Sequence, residues 1–368
     1  MIPKHTFHTT VGRTHQCRNQ ATAFSLVELL TVIFIISLLI GILIPSVNSA
    51  RNAAKRLTTS KTLDSINVGL EMFKNDNGSD FRQTNGYPPS FAHPRIPGCG
   101  FNASVGQFPF LPEKPVVYGA HWLPAMLMGV DNLGYVKRSS VPTDLQETPW
   151  CWYPRPGMEC DMNRPLERMQ LYLDRGVKTI PTERLPGHPP EDLDELFPGW
   201  DEDSDSKDGM QTLPVIVDAF DQPILYYVAS THGHMSNMLE DVRDPDNDYS
   251  GGPQQDGTPF FFHQDNIGFT GDKDKGHPGW NFGNREKYHA IAESGADLYA
   301  SQIVAPANRE TFARYILDRK LYVSLVGNPD RDAVLRPVKA DSYLLISAGP
   351  DGRYGTNDDV SNLPPWPE

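Results

Sequence analysis

The chain has 368 residues, 39% of them hydrophobic, which is enough to bury one large domain or two modest ones. Its formal charge is −13, and because residues 1–23 carry Lys4, Arg13 and Arg18 without an acid, the remainder stands at −16, three units lower. That balance argues against a nucleic-acid partner, which needs a clustered basic surface, and 33 prolines with 30 glycines argue for many turns and against a helical bundle. In chain order, the first distinct element is residues 24–44, FSLVELLTVIFIISLLIGILI, whose one formal charge is Glu28. As a helix this run spans ~31 Å, about the thickness of the hydrocarbon core of a bilayer. A carboxylate inside such a span costs on the order of 2.5 to 3.5 kcal/mol, so Glu28 implies a partner or a role.

The residues Ala23, Phe24, Ser25, Leu26, Val27 and Glu28 resemble the cleavage and methylation signature of type IV pilins and type II secretion pseudopilins. The resemblance implies a leader, residues 1–23, that a prepilin peptidase removes between Ala23 and Phe24, followed by N-methylation of Phe24. The family has glycine before the cut; alanine here is also small. The resemblance further implies a single-pass inner-membrane protein, N-terminus cytoplasmic and globular domain periplasmic, assembled into a periplasmic filament. Its partners would be identical or related pilin-like subunits, joined through the N-terminal helix, and the inner-membrane assembly proteins of the secretion system. Glu28 would face the new N-terminal amine of a neighbouring subunit, since opposite charges in a low-dielectric bundle attract strongly and each is costly alone. Pro45 matches a helix-perturbing proline of the family. It removes the bond to the Gly41 carbonyl, which predicts a kink or melted turn over 41–45 at the end of the transmembrane segment, residues 24–45. The rival is a secretory signal peptide cut after Val47-Asn48-Ser49-Ala50, against which stand Glu28 and the length of the apolar run. Basic residues on both sides of the helix leave the orientation to the resemblance.

Residues 46–78 read as an amphipathic helix: Val47, Ala50, Ala54, Leu57, Leu63, Ile66, Leu70 and Phe73 recur at three- or four-residue spacing where apolar residues continue, and Gly78 stops it. By the resemblance, residues 79–368 would be the extracytoplasmic domain, with insertions at about 90–210 and 230–340. Gly86-Tyr87-Pro88-Pro89 resembles the tyrosine-proline turn after the pseudopilin helix. Short helices are predicted near 119–130 and 162–175. The acidic run Glu191 to Asp208 reads as a solvated loop, because Ser206 replaces the glycine an EF-hand requires. Of the cysteines beyond the leader, Cys99, Cys151 and Cys160, a Cys151–Cys160 disulfide and three free thiols both remain open.

Strands are predicted at Leu213 to Val217, Pro223 to Ala229 and Ser342 to Ser347. The stretch Asp218 to Tyr227 is similar to a hairpin of major pseudopilins, and residues 347–360 resemble their calcium-binding loop. That resemblance makes Asp351, Asp358 and Asp359 calcium ligands, with the carbonyls of Ala348 and Thr356 beside them. Calcium suits a loop of this kind, being a hard cation that takes 6 to 8 oxygens in loose geometry. The pairs His232/His234 and Glu286/His289 lack the further ligands of a metal site. Asp244, Asp246, Asp248, Asp272 and Asp274 read as turns. No nucleophile elbow, phosphate loop or Cys-x-x-Cys occurs, so no enzymatic activity is expected. The expected fold is α+β and pilin-like, a long N-terminal helix packed on a small antiparallel sheet, with large loop-rich insertions. The expected function is a structural subunit of a type II secretion pseudopilus that supports protein export across the outer membrane. The alternatives are a minor or type IV pilus-like subunit, or a membrane-tethered extracytoplasmic binding module.

Overall fold

The structure, a computed structural model, describes residues 25–90, 117–136, 141, 166–191, 193–197, 200, 212–229, 261–273, 275–283, 287–293, 311–318 and 337–364. The chain divides into two units, residues 1–51 and 52–368. Helix α1 (Leu26–Asn77) begins in the first and ends in the second. Every described residue of the first unit is exposed, including the apolar run from Leu26 to Ile44. The helix is long and apolar enough there to cross a membrane.

The sequence predicts a kink or a melted turn over 41–45, and the structure corrects the second of these: α1 runs unbroken through Gly41 and Pro45, with no turn melted. One missing donor removes a single rung of the ladder, and the turns on either side keep theirs. The stop is where Gly78 predicts it, with the Gly78 amide bonding the Lys74 carbonyl at 2.9 Å.

In the second unit the apolar positions of α1 turn to one side. Leu63, Ile66, Leu70 and Phe73 are buried, while Val68 on the other face is exposed. Phe73 packs edge-on against Tyr172 with centroids 5.4 Å apart and tilted against Phe81 at the same distance. At Gly69 the chain comes so close that an added Cβ would lie 2.7 Å from the Tyr172 carbonyl oxygen. Residues 166–173 therefore cover the helix, and they do so without being helical themselves, contrary to the prediction for 162–175. Their donors are taken elsewhere: Met169 N–H bonds the Tyr135 carbonyl at 2.7 Å and Tyr172 N–H the Leu127 carbonyl at 2.9 Å.

Helix α2 (Gly119–Leu127) is buried along its whole length, and its sequence is apolar apart from His121. Its start needs glycine, because a Cβ at Gly119 would lie 1.9 Å from the Tyr226 carbonyl oxygen. The strands at Pro214–Ile216, Leu225–Val228 and Tyr343–Ser347 fall on the predicted runs, and the others were not predicted. β1 (Thr179–Pro181) pairs antiparallel with β2 (Pro214–Ile216). β3 (Leu225–Val228) pairs antiparallel with β6 (Tyr343–Ser347), which pairs with β7 (Val360–Ser361). Residues of β3 and β6 are all buried, so these strands read as continuous apolar runs. Between them in sequence lie the short helix α4 (Ile267–Thr270), the two-residue strands β4 (Gly271–Asp272) and β5 (His277–Pro278), and the helical turn α5 (Phe312–Ile316). A further turn, α3 (Leu193–Leu196), precedes β2. Mixed helix and antiparallel sheet place the chain in the α+β class.

Described residues between β3 and β6 contribute to the core. Phe269 and Trp280 join Tyr118 and Phe197 in an aromatic cluster, Phe197 meeting Phe269 at 5.5 Å and Trp280 at 5.8 Å. Three described histidines, His121, His263 and His289, are buried. His121 accepts the Tyr118 N–H at Nδ1 (3.2 Å) and meets the Thr182 hydroxyl at Nε2 (3.0 Å). Its burial holds the imidazole neutral, with the pKa lowered to about 3.

Candidate functional site

Two groups of sequence-predicted residues are candidates, one at the start of α1 and one in the loop between β6 and β7. At the first, Ala23 and Phe24 lie outside the described residues. Glu28 stands in the first turn of α1, and its carboxylate accepts the Ser25 N–H at 2.9 Å. Ser25 with Glu28 three residues on has the spacing of a capping box, a signal the sequence reading passed over. The partial positive charge of the helix start also favours an acid here. Pro45 lies inside α1, as described.

The second candidate is built on β6. After Ser347 the chain makes a helical turn, Gly349–Asp351, and Gly352 carries it on at φ 73°. Ala348 is buried, Thr356, Asp358 and Asp359 are half-buried, and Asp351 is exposed. The three carboxylates each hold backbone: Asp351 accepts the Arg353 N–H at 2.8 Å, Asp358 the Asp351 N–H at 3.1 Å, and Asp359 the Gly355 N–H at 2.8 Å. The Thr356 hydroxyl donates to Asp358 and lies 3.3 Å from Asp359. Among the described residues, no three His, Cys, Asp or Glu side chains stand together as a ready metal-holding group. Their charges are nonetheless close enough to act on one another. Burial pushes the Asp359 carboxyl up to about 8, the Asp351 charge adding to the rise against hydrogen bonds from Tyr315 and the loop amides. Partial desolvation of its carboxyl group also raises Asp351, although the residue as a whole is exposed, and Asp358 contributes. Carboxylate and carbonyl oxygens are the donors that a hard divalent cation takes.

The loop is docked on its neighbours. The Tyr354 hydroxyl donates to the Pro223 carbonyl at 2.6 Å, and the Ser347 hydroxyl donates to Asp218 at 2.5 Å. Asp218 in turn closes the hairpin turn before β3, accepting the N–H groups of Phe220 at 2.7 Å and Gln222 at 2.9 Å, and burial raises its pKa. Helix α1 reaches the same region. Arg56 lies 3.7 Å from Asp358, the Thr59 hydroxyl accepts the Ala219 N–H at 3.2 Å, and the Lys55 ammonium sits 5.1 Å from the Phe220 ring centroid.

The remaining candidates separate. His232, His234, Cys99, Cys151, Cys160, Glu286, Asp244, Asp246, Asp248 and Asp274 lie outside the described residues. Asp272 sits at the end of β4, where it accepts the Lys275 N–H at 3.2 Å and closes a turn as predicted. His289 is buried with both ring nitrogens occupied. No known protein family, curated protein or solved structure matches this chain.

Proposed function

We propose that this protein is a pilin-like structural subunit of the type II secretion pseudopilus kind, made as a precursor, held in the inner membrane by residues 24–45, and assembled through α1 into a periplasmic filament. One observation carries the reading. A single helix leaves its first, apolar half exposed on every side and buries one face of its second half. Apolar side chains exposed all round a helix require lipid or other helices around them. Glu28, embedded near the start of that surface, gives it a charge for a neighbouring subunit to match. Prepilin peptidase and the inner-membrane assembly proteins are the other partners of this reading, and the signature at Ala23 and Phe24 supports them.

Calcium is proposed at the loop, held by Asp351, Asp358 and Asp359 with the Ala348 and Thr356 carbonyls. Its chemistry there is to neutralise the carboxylates. The size of the domain favours a second reading, a minor or tip subunit or a membrane-tethered binding module. Phe269, Trp280 and Phe312, all from the insertion between β3 and β6, are fully buried and so belong to the built domain rather than to a floppy appendage.

Chemical cross-linking of sheared periplasmic material distinguishes the two. A ladder of multiples of the subunit is expected, whereas a monomer confined to membranes selects the tethered module. Chelation of calcium is expected to lower the thermal midpoint by about 5 °C, the shift that follows from losing a ligand present at roughly a hundred times its dissociation constant. An unchanged midpoint removes the cation from the account.

A further inference from the structure

The loop from 347 to 360 does not stand alone. Its rear face is built by residues 280–283 and 287–293, part of the insertion between β3 and β6, and His289 is the joint between them. The Tyr354 N–H donates to His289 Nδ1 at 3.1 Å, so that nitrogen carries no proton. The proton is therefore on Nε2, which lies 2.8 Å from the Trp280 carbonyl oxygen and donates to it. Trp280 is itself fixed, its indole N–H donating to the Pro186 carbonyl at 3.0 Å. One imidazole thus ties the loop to an anchored tryptophan.

The backbone on either side completes the seam. The N–H groups of Ala290 and Ile291 both approach the Tyr354 carbonyl, at 2.9 and 3.4 Å. Gly355 is pressed so closely on this wall that a Cβ there would lie 2.5 Å from the Ile291 side chain. The imidazole and the Tyr354 ring lie 5.0 Å apart. Tyr354 and Gly355 are the residues immediately before Thr356, and the Gly355 amide holds Asp359.

We infer that His289 is a positioning residue for the cation loop: by holding Tyr354 it fixes the turn that presents Thr356, Asp358 and Asp359, so the insertion preforms the site. This rests on the cation reading of the loop. A preformed site binds more tightly because the ordering cost is met before the ion arrives. Leucine at 289 fills space but leaves the Tyr354 N–H and the Trp280 carbonyl unpartnered. Glutamine has one acceptor and one donor on a planar amide and can replace both bonds.

The test is calorimetric titration of the full chain in detergent with calcium alone. His289→Leu is expected to weaken binding by about tenfold or more, and His289→Gln to stay within about threefold of wild type, the loss and rescue that preorganisation requires. Leu70→Ala, in the buried face of α1, is the control: it lowers stability and leaves calcium affinity unchanged. If His289→Leu does not fold, His289→Asn, too short to span both backbone groups, takes its place. Wild-type affinity in the leucine or asparagine variant overturns the inference, as does an equal loss in Leu70→Ala. A wild-type protein that binds no calcium overturns the metal reading of the loop itself. In that case amide hydrogen exchange at Tyr354 and Gly355 still decides the positioning role, which is overturned if His289→Leu leaves their protection intact.

Discussion

Glu28→Leu is expected to leave the protein in the membrane and to remove it from cross-linked filaments, with at least a tenfold loss of assembled material, equivalent to about 1.4 kcal/mol or more per subunit. The substitution relieves the roughly 2.5 to 3.5 kcal/mol that a carboxylate costs inside a membrane helix, so insertion cannot be what fails. What it removes is the charge that a neighbour's amine would match. The bond from the Ser25 N–H to Glu28 offers a competing explanation, in which the acid only caps α1. Glu28→Gln separates the two, because glutamine keeps an acceptor for Ser25 and lacks the charge. The filament account expects Gln to fail as Leu does; capping expects Gln to assemble normally.

The second large effect is on stability against pH. Burial holds His121 at about 3 and His289 at about 4, both below the ordinary 6.5. As pH falls below 6.5 the unfolded chain takes up protons that the folded chain refuses, so the stability due to each group is full above 6.5 and is lost toward pH 4. The loss is about 1.4 kcal/mol per pH unit for each histidine, or up to about 3 kcal/mol at pH 4. The raised carboxyls of Asp359, Asp218 and Asp351 have the opposite sign, and the contribution of Asp359 is lost as pH rises through about 8. The histidine part is therefore read as a difference. Denaturant unfolding of wild type and His121→Gln should show a stability gap that shrinks by up to about 3 kcal/mol between pH 6.5 and pH 4. A gap constant over that range means His121 does not titrate on unfolding.

Helix α1 was legible because its signals are local. The apolar run, the three- and four-residue spacing from Leu63 to Phe73 and the stop at Gly78 all lie within a few residues of what they specify. The strands β2, β3 and β6 were legible for the same reason, each a short buried run of apolar or aromatic residues ended by turn formers. The prediction over 162–175 failed where distant partners intervened, since the carbonyls of Tyr135 and Leu127 take the donors a helix would have used. The same limit hid the packing behind the loop between β6 and β7. His289 beside Glu286 carries no pattern, and its meaning comes from Trp280 and Tyr354, which only the fold brings to its two nitrogens. At Pro45 the melted-turn alternative failed on magnitude, a single lost hydrogen bond being too little to melt a turn in so long a helix.

The precursor reading concentrates on the bond between Ala23 and Phe24, and intact mass with N-terminal fragmentation of the protein purified from its native membrane tests it most directly. The account predicts a chain that begins at N-methylated Phe24. A chain that begins near Ala50, or one that retains residues 1–23, contradicts it.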